Sequence, residues 1–493
     1  MMLIAFTNGI GGLLSDLVTD EVQAAPPPPE WSRPERVFLS FLRFVPGFKQ
    51  TAASDRVLVA LRGSTWTIVG YGASQVVRLL SMVILARHLL GPAAFGLVAL
   101  VNVFIGGLTM ISDIGIATDV IQHRRGDEPE FINTAFLLSA GRGVLLWIVA
   151  SALAYPFAMF YHQPAIRTLA LVAALTVPIQ GFCSGSVWKL YRHVKLEKLT
   201  ILRIASEVFG LLVSIAWAVV SPTAWSLVVG RVATELFFSV CTHFIGDVKV
   251  SLKWDTAAGK DILLFGAGMF ASSATYFVVG EGERLVVGKI VTLAMLGCFS
   301  LALSITSAAS SGLQRVISQV FYPMIAASVR TGPAYVAVQY RKARLLLLIL
   351  TSCMAVIFII GGNWIVATLL GPKYSAAGWM LQLLGFRAAL EVFTSVTTQM
   401  LFALGISRYA AVSNLAKLAF LAVGLTIALT KFGFYEALWV LAVAPIAAYL
   451  PTLWGIRQNF RAIFRLEVLT FGVLLSCSVV AIVVMRMFAH IGL

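Results

Sequence analysis

From residue 64 to the C-terminus, apolar windows about 20 residues long recur along the chain. A hydrocarbon core roughly 30 Å thick is crossed by about 20 helical residues rising ~1.5 Å each, so every such window is a candidate membrane span. Thirteen are expected, at 64–87, 94–117, 132–159, 165–187, 201–220, 223–244, 262–286, 294–320, 344–369, 376–403, 409–430, 435–456 and 468–489. With 59% hydrophobic residues, 12% charged residues and a mean hydropathy of +0.90, an ordinary soluble enzyme is excluded. The expected fold is an all-α polytopic membrane protein of 12 to 13 transmembrane helices.

The loops sort by charge. Those after even-numbered windows carry Arg124, Arg125, Lys189, Arg192, Lys195, Lys198, Lys249, Lys253, Lys260, Arg330, Arg341, Lys342, Arg344, Arg408, Arg457, Arg461 and Arg465. Those after odd-numbered windows carry little beyond Arg167, Lys289, Lys373 and Lys431. The positive-inside rule therefore places the N-terminus and the even loops in the cytoplasm and the C-terminus outside. The net charge of +15 is read as this topological signal, and no nucleic-acid partner is expected. Residues 1–60 read as a cytoplasmic tail: Met1 to Leu17 lacks the basic start of a signal peptide, and Asp20 and Glu21 follow. A short surface-lying helix is expected around Val37 to Phe48. The five cysteines fall in apolar windows without zinc spacing, so no metal is expected.

An internal echo suggests two halves. The first window ends Ala86-Arg87-His88-Leu89-Leu90-Gly91-Pro92-Ala93-Ala94-Phe95-Gly96, and the seventh ends Gly288-Lys289-Ile290-Val291-Thr292-Leu293-Ala294-Met295-Leu296-Gly297. Each runs small residue, basic residue, short turn, alanine, bulky apolar residue, glycine. Two parallel six-helix lobes follow, 61–250 and 251–465, with 466–493 as an extra C-terminal helix and a substrate site expected at the lobe interface near the midplane.

Charge inside the membrane is costly and points to function. Arg78 lies near the middle of the first window, with Tyr71, Ser74, Gln75 and Ser81 on its helical face. Arg142, Arg315 and Lys417 likewise lack an acid three or four residues away. Interhelical pairing, for instance of Arg78 or Arg142 with Asp113, is the structural alternative. Arg203 with Glu207, Arg231 with Glu235, and Arg387 with Glu391 are spaced to neutralise themselves, which ranks Arg231 and Arg387 behind the others as ligands. The surplus of cations suits an anionic substrate, and phosphate or pyrophosphate fits the guanidinium fork. Asp113, Glu207, Glu235, Glu281, Glu283 and Glu391 are available to carry a coupling proton or sodium ion, with Asp113, Glu235, Glu283 and Glu391 as the chief candidates. No other cofactor is expected.

The run RGSTWTIVGYGASQVVRLLSMVILARHLLGPAAFGLVALVNVFIGGLTMISDIGIATDVIQHRRGDEPEFINTAFLLSAGRGVLLW, Arg62 to Trp147, resembles the Wzx-type polysaccharide transporters. These are oligosaccharidyl-lipid flippases of the superfamily that also holds the multidrug MATE exporters. GERLVVGKIVTLAMLGCFSLA, Gly282 to Ala302, is similar to the family's second-half motif, with Glu283 where relatives often have Asp. The resemblance covers residues from about 60 to about 465. It implies a two-lobed transporter that moves undecaprenyl-pyrophosphate-linked oligosaccharide across a bacterial inner membrane for exopolysaccharide or lipopolysaccharide synthesis by alternating access. Its pyrophosphate would be held by basic residues matching Arg78 most closely and Arg142 and Arg315 more loosely. It also implies membrane lipids, a polysaccharide polymerase and chain-length or export machinery as partners. A MATE-like drug antiporter is the alternative, and it should favour cavity acids. A membrane polymerase or ligase would need a sizeable outer loop, and an ATP-driven pump a GxxxxGK[ST] loop; the sequence has neither.

Overall fold

The computed structural model describes residues 55–491 apart from 113, 114, 247, 249, 250, 252 and 332. The helix expected at Val37 to Phe48, nearly all of the tail, Lys249 and the coupling candidate Asp113 lie outside the described residues. Every regular element among the described residues is helical. The first nine helices are α1 Asp55–Ile84, α2 Pro92–Ile111, α3 Ile116–Gln122, α4 Pro129–Phe160, α5 Ala165–Ala173, α6 Thr176–Gly181, α7 Ser186–Arg192, α8 Glu197–Val220 and α9 Trp225–Ile245. Then come α10 Thr256–Ile290, α11 Leu293–Val316, α12 Tyr322–Thr331, α13 Pro333–Leu369, α14 Ala376–Ala403, α15 Arg408–Lys431, α16 Phe434–Asn459 and α17 Arg461–Ile491.

Ten of these segments are long and apolar enough to cross a membrane, and a bent pair makes an eleventh. α10 and α14, 35 and 28 residues long, correspond to the other two expected windows. Arg387 and Glu391 in the middle of α14 lower its apolarity. The protein is thus an all-α polytopic membrane protein. Proline opens α2 and α4, where its missing N–H costs no helical bond. Asp255 caps α10 by accepting from the N–H groups of Ala257 and Ala258 at 2.9 and 3.2 Å.

The fourth expected window, 165–187, is not one helix but the broken series α5, α6 and the start of α7, with a bend of 63° before Ser186. Pro178 cannot donate to Ala174, and its ring crowds that carbonyl, so the helix breaks at Ala174 and Leu175. At the second break Ser184 N–H donates to Thr242 Oγ1 at 3.0 Å, which satisfies a backbone group that the helix has released.

The chain divides into two compact units, one over Ala60–Leu301 and one built on Ala302–Leu493, with the boundary inside α11. In the first unit the loops after α3, α7 and α9 gather at one end. Arg125 reaches Asp255 at 2.7 Å and Glu128 at 2.8 Å, while Arg192 and His193 each meet Asp127 at 2.8 Å. Arg192 also donates to the carbonyls of Ile121 and His123 at 2.8 and 2.7 Å, closing the C-terminus of α3. Partial burial pushes the Asp127 carboxyl up, but the bonds from His193 and Arg192 outweigh it and hold the group below its ordinary range. The bond from Arg125 does the same for Asp255. Three even-numbered loops therefore share one end, as the charge sorting requires.

The echoed motifs touch each other in this unit. A Cβ on Gly96 would collide with the Leu293 carbonyl, and one on Gly297 with the Pro92 carbonyl. The final glycines of the two motifs thus form a reciprocal contact between the first turns of α2 and α11, and only glycine lets the backbones approach that closely.

The second unit is organised around α14, which is buried on nearly every face and packs against α13 and α16. Loop charge sorting assigns Arg344 to a cytoplasmic loop; it lies instead inside α13 and is fully buried. Its guanidinium meets Glu467 of α17 at 2.6 Å and the Phe393 carbonyl at 2.6 Å, and lies 3.5 Å from the Phe393 ring centroid. Glu467 also accepts from Tyr340, Tyr449 and, at 3.0 Å, Thr397. A buried carboxylate with four donors is fully compensated, so α17 is pinned to the core of the unit by its first turns.

Candidate functional site

In the first unit α1, α8 and α9 bring five charged side chains together at membrane depth. Arg78 meets Glu207 at 3.1 Å, and Glu207 lies 3.5 Å from Arg203. Arg203 reaches Glu235 at 3.3 Å, and Glu235 meets Arg231 at 3.0 Å. The spacing of four residues on α8 and on α9 aligns each local pair, and close α8–α9 packing joins them into one chain. Spacing on α8 pairs Arg203 with Glu207 alone. Its closest carboxylate is instead Glu235 on the neighbouring helix.

Exposure within the cluster is layered. Glu207 and Glu235 are 7% and 2% exposed, whereas Arg78 and Arg231 are 59% and 49% exposed. Two buried carboxylates thus orient three guanidiniums and leave an open, positively charged face with one charge in excess. Arg203 is further held over the Phe238 ring at 5.3 Å. Arg78, which has no acid on its own helix face, is anchored from α8. The acid is 129 positions away, and no local pattern announces it.

Arg142 stands apart from this chain. One of its terminal nitrogens donates to the Thr109 carbonyl at 2.8 Å and to Ser112 Oγ at 3.1 Å. It lines a cavity of about 270 Å³ with Thr109, Met110, Ser139, Val177 and Gln180. Gln180 comes from α6 of the broken span, which packs against α9, the helix of Arg231 and Glu235, and so places the cavity beside the arginine cluster.

In the second unit Lys417 of α15 meets Glu391 of α14 at 2.9 Å, and Arg387 meets the same oxygen at 3.1 Å. Lys417 therefore has a carboxylate partner across helices, again invisible to spacing on its own helix. Arg315 lies in the last turn of α11, directly before a π-helical turn at Ile317–Phe321. Glu283 is buried in α10, where its neighbour Arg284 pairs with Glu281 at 2.5 Å rather than with Glu283. Among the described residues no group of His, Cys, Asp and Glu could hold a metal ion.

Residues 84–379 match the family described as polysaccharide biosynthesis protein. The succinoglycan biosynthesis transport protein ExoT of Rhizobium meliloti (strain 1021) is 22% identical over 267 residues, 53% of each chain. The lipopolysaccharide biosynthesis protein WzxC of Escherichia coli (strain K12) is 21% identical over 330 residues, 66% of each chain. The chain thus spans between half and two thirds of the length of these relatives. Two solved structures share the fold. An inward-facing multidrug resistance MATE transporter of the MOP superfamily aligns with a TM-score of 0.57 at 14% identity, covering 79% of this chain and 94% of that one. The lipid II flippase MurJ in an inward closed conformation aligns with a TM-score of 0.60 at 12% identity, covering 87% and 98%.

Proposed function

Because the chain belongs to the polysaccharide biosynthesis protein family, we propose that it is a flippase for polyprenyl-pyrophosphate-linked oligosaccharide repeat units. It carries them from the cytoplasmic to the periplasmic leaflet of a bacterial inner membrane, for exopolysaccharide or lipopolysaccharide synthesis. The observation that carries this reading is the layered cluster, in which Arg78, Arg203 and Arg231 stand over the buried Glu207 and Glu235. A guanidinium offers paired N–H donors matched to phosphate oxygens, and the surplus positive charge is complementary to a pyrophosphate. A drug antiporter for organic cations would present its carboxylates to the substrate. Here they lie behind the arginines.

The work of the cluster is binding and release, since translocation makes and breaks no bond in the substrate. Arg78 and Arg231 hold the headgroup while the polyprenyl tail stays in lipid, and the two lobes alternate access to either face. Arg315, Arg387 and Lys417 of the second unit are further candidates for contact with the anionic headgroup. Asp113, Glu235, Glu283 and Glu391 are the candidates for coupling to a proton or sodium gradient. The protein is a transporter and not an enzyme, and a polymerase with chain-length machinery consumes its product on the outer face.

Arg78→Ala combined with Arg231→Ala is expected to lower surface polymer about ten- to a hundredfold, the loss of one or two charge-assisted bonds. Repeat units should accumulate in the cytoplasmic leaflet, read by accessibility of the headgroup in inside-out vesicles. Near-normal export by a variant inserted at wild-type levels contradicts the assignment.

A further inference from the structure

The cavity around Arg142 has a different chemistry from the arginine cluster, and we propose that it is a subsite for the first sugar of the lipid-linked glycan. The inference rests on the flippase reading above and adds to it the part of the substrate that contacts α4 and α6. Phosphate recognition by arginine uses two N–H donors presented in parallel. Arg142 has committed both hydrogens of one terminal nitrogen to the Thr109 carbonyl and Ser112 Oγ, so its outer fork is not presented to a phosphate. It is a fixed guanidinium at the wall of a cavity, suited to single hydrogen bonds with neutral oxygens.

The rest of the lining agrees. Ser139 and Gln180 bring a hydroxyl and a carboxamide, while Met110 and Val177 bring apolar surface. A pyranose ring has that double character, with hydroxyls around its rim and C–H groups on its faces. The volume of about 270 Å³ lies at the scale of a single-ring ligand rather than a long glycan. The remaining wall is α6, the short middle helix of the broken fourth span, through Val177, Gln180 and Gly181. Helix packing fixes the order of the two sites, because α6, which lines the cavity with Gln180, packs against α9, the helix that carries Arg231 and Glu235. The sugar attached directly to the pyrophosphate is therefore the one that reaches Arg142.

The test uses two probes on the purified full chain, polyprenyl pyrophosphate and the same lipid bearing one hexose. Wild type should bind the glycosylated probe at least about tenfold more tightly. Arg142→Met removes the donor, and Ser139→Leu fills the cavity while keeping Arg142. Both should abolish the advantage of the hexose and leave affinity for the bare lipid within about threefold of wild type. Arg78→Ala should weaken both probes alike, which separates the two sites. A wild-type protein that does not distinguish the probes overturns the subsite, as do variants that weaken both probes equally. If wild type binds neither probe, the flippase reading fails and the subsite fails with it.

Discussion

Two buried ionic networks in this protein use the same residue types to opposite ends. Arg344 and Glu467 are both fully buried, and the carboxylate takes its remaining bonds from Tyr340, Tyr449 and Thr397. The network between α1, α8 and α9 is open on one side. Its carboxylates are hidden, its outer arginines are half exposed, and its charges do not cancel. A closed, balanced network can only hold helices together. An open one with an excess of one sign is still complementary to something outside itself.

That contrast is sharpest in stability. Arg344→Ala leaves Glu467 as an uncompensated buried charge, and a loss of about 3 to 5 kcal/mol is expected. It should appear as a large fall in melting temperature in detergent. Arg344→Met with Glu467→Leu should recover most of that loss, because an apolar pair of similar volume removes the desolvation penalty. Arg78→Ala should cost under about 1 kcal/mol, since Arg78 is mostly exposed and Glu207 keeps Arg203 as a partner. Comparable losses at the two sites would erase the distinction between a structural and a ligand-binding network.

The loop network at the end of the first unit gives the smallest effect. The folded pKa of Asp127 is depressed below its ordinary value of 3.8, so its contribution is present above that value and disappears as pH falls through the folded pKa. Asp127→Asn should therefore lower stability by under about 1 kcal/mol at neutral pH, with the difference from wild type vanishing in acid. A difference that grows on acidification would contradict the pairing with Arg192 and His193.

Much of this architecture is legible in the sequence, because the membrane imposes one rule on every span. Thirteen apolar windows find their counterparts, and the echo between Gly96 and Gly297 turns out to mark a physical contact. The readable part of the site is local. Arg231 with Glu235 and Arg387 with Glu391 follow from spacing on one helix, and both pairs are present. What cannot be read are partners on other helices. Glu207 for Arg78, Glu235 for Arg203 and Glu391 for Lys417 depend on helix packing that leaves no periodic trace. Arg344 is misplaced for the same reason, since a charge near a window's edge reads as a loop until its buried partner is known. Pro178 is the local signal for the break at Ala174 and Leu175, and α6, the short helix that contains it, lines the Arg142 cavity with Val177, Gln180 and Gly181.

The open network between α1, α8 and α9 is proposed to bind the pyrophosphate headgroup through its guanidinium forks. Its most direct test is the affinity of the purified protein for polyprenyl pyrophosphate, compared among wild type, Arg78→Lys and Arg78→Ala. Arg78→Lys keeps the charge but loses the fork, so it should weaken binding by about tenfold, and Arg78→Ala should weaken it further. Wild-type affinity in Arg78→Ala would contradict headgroup binding by this network.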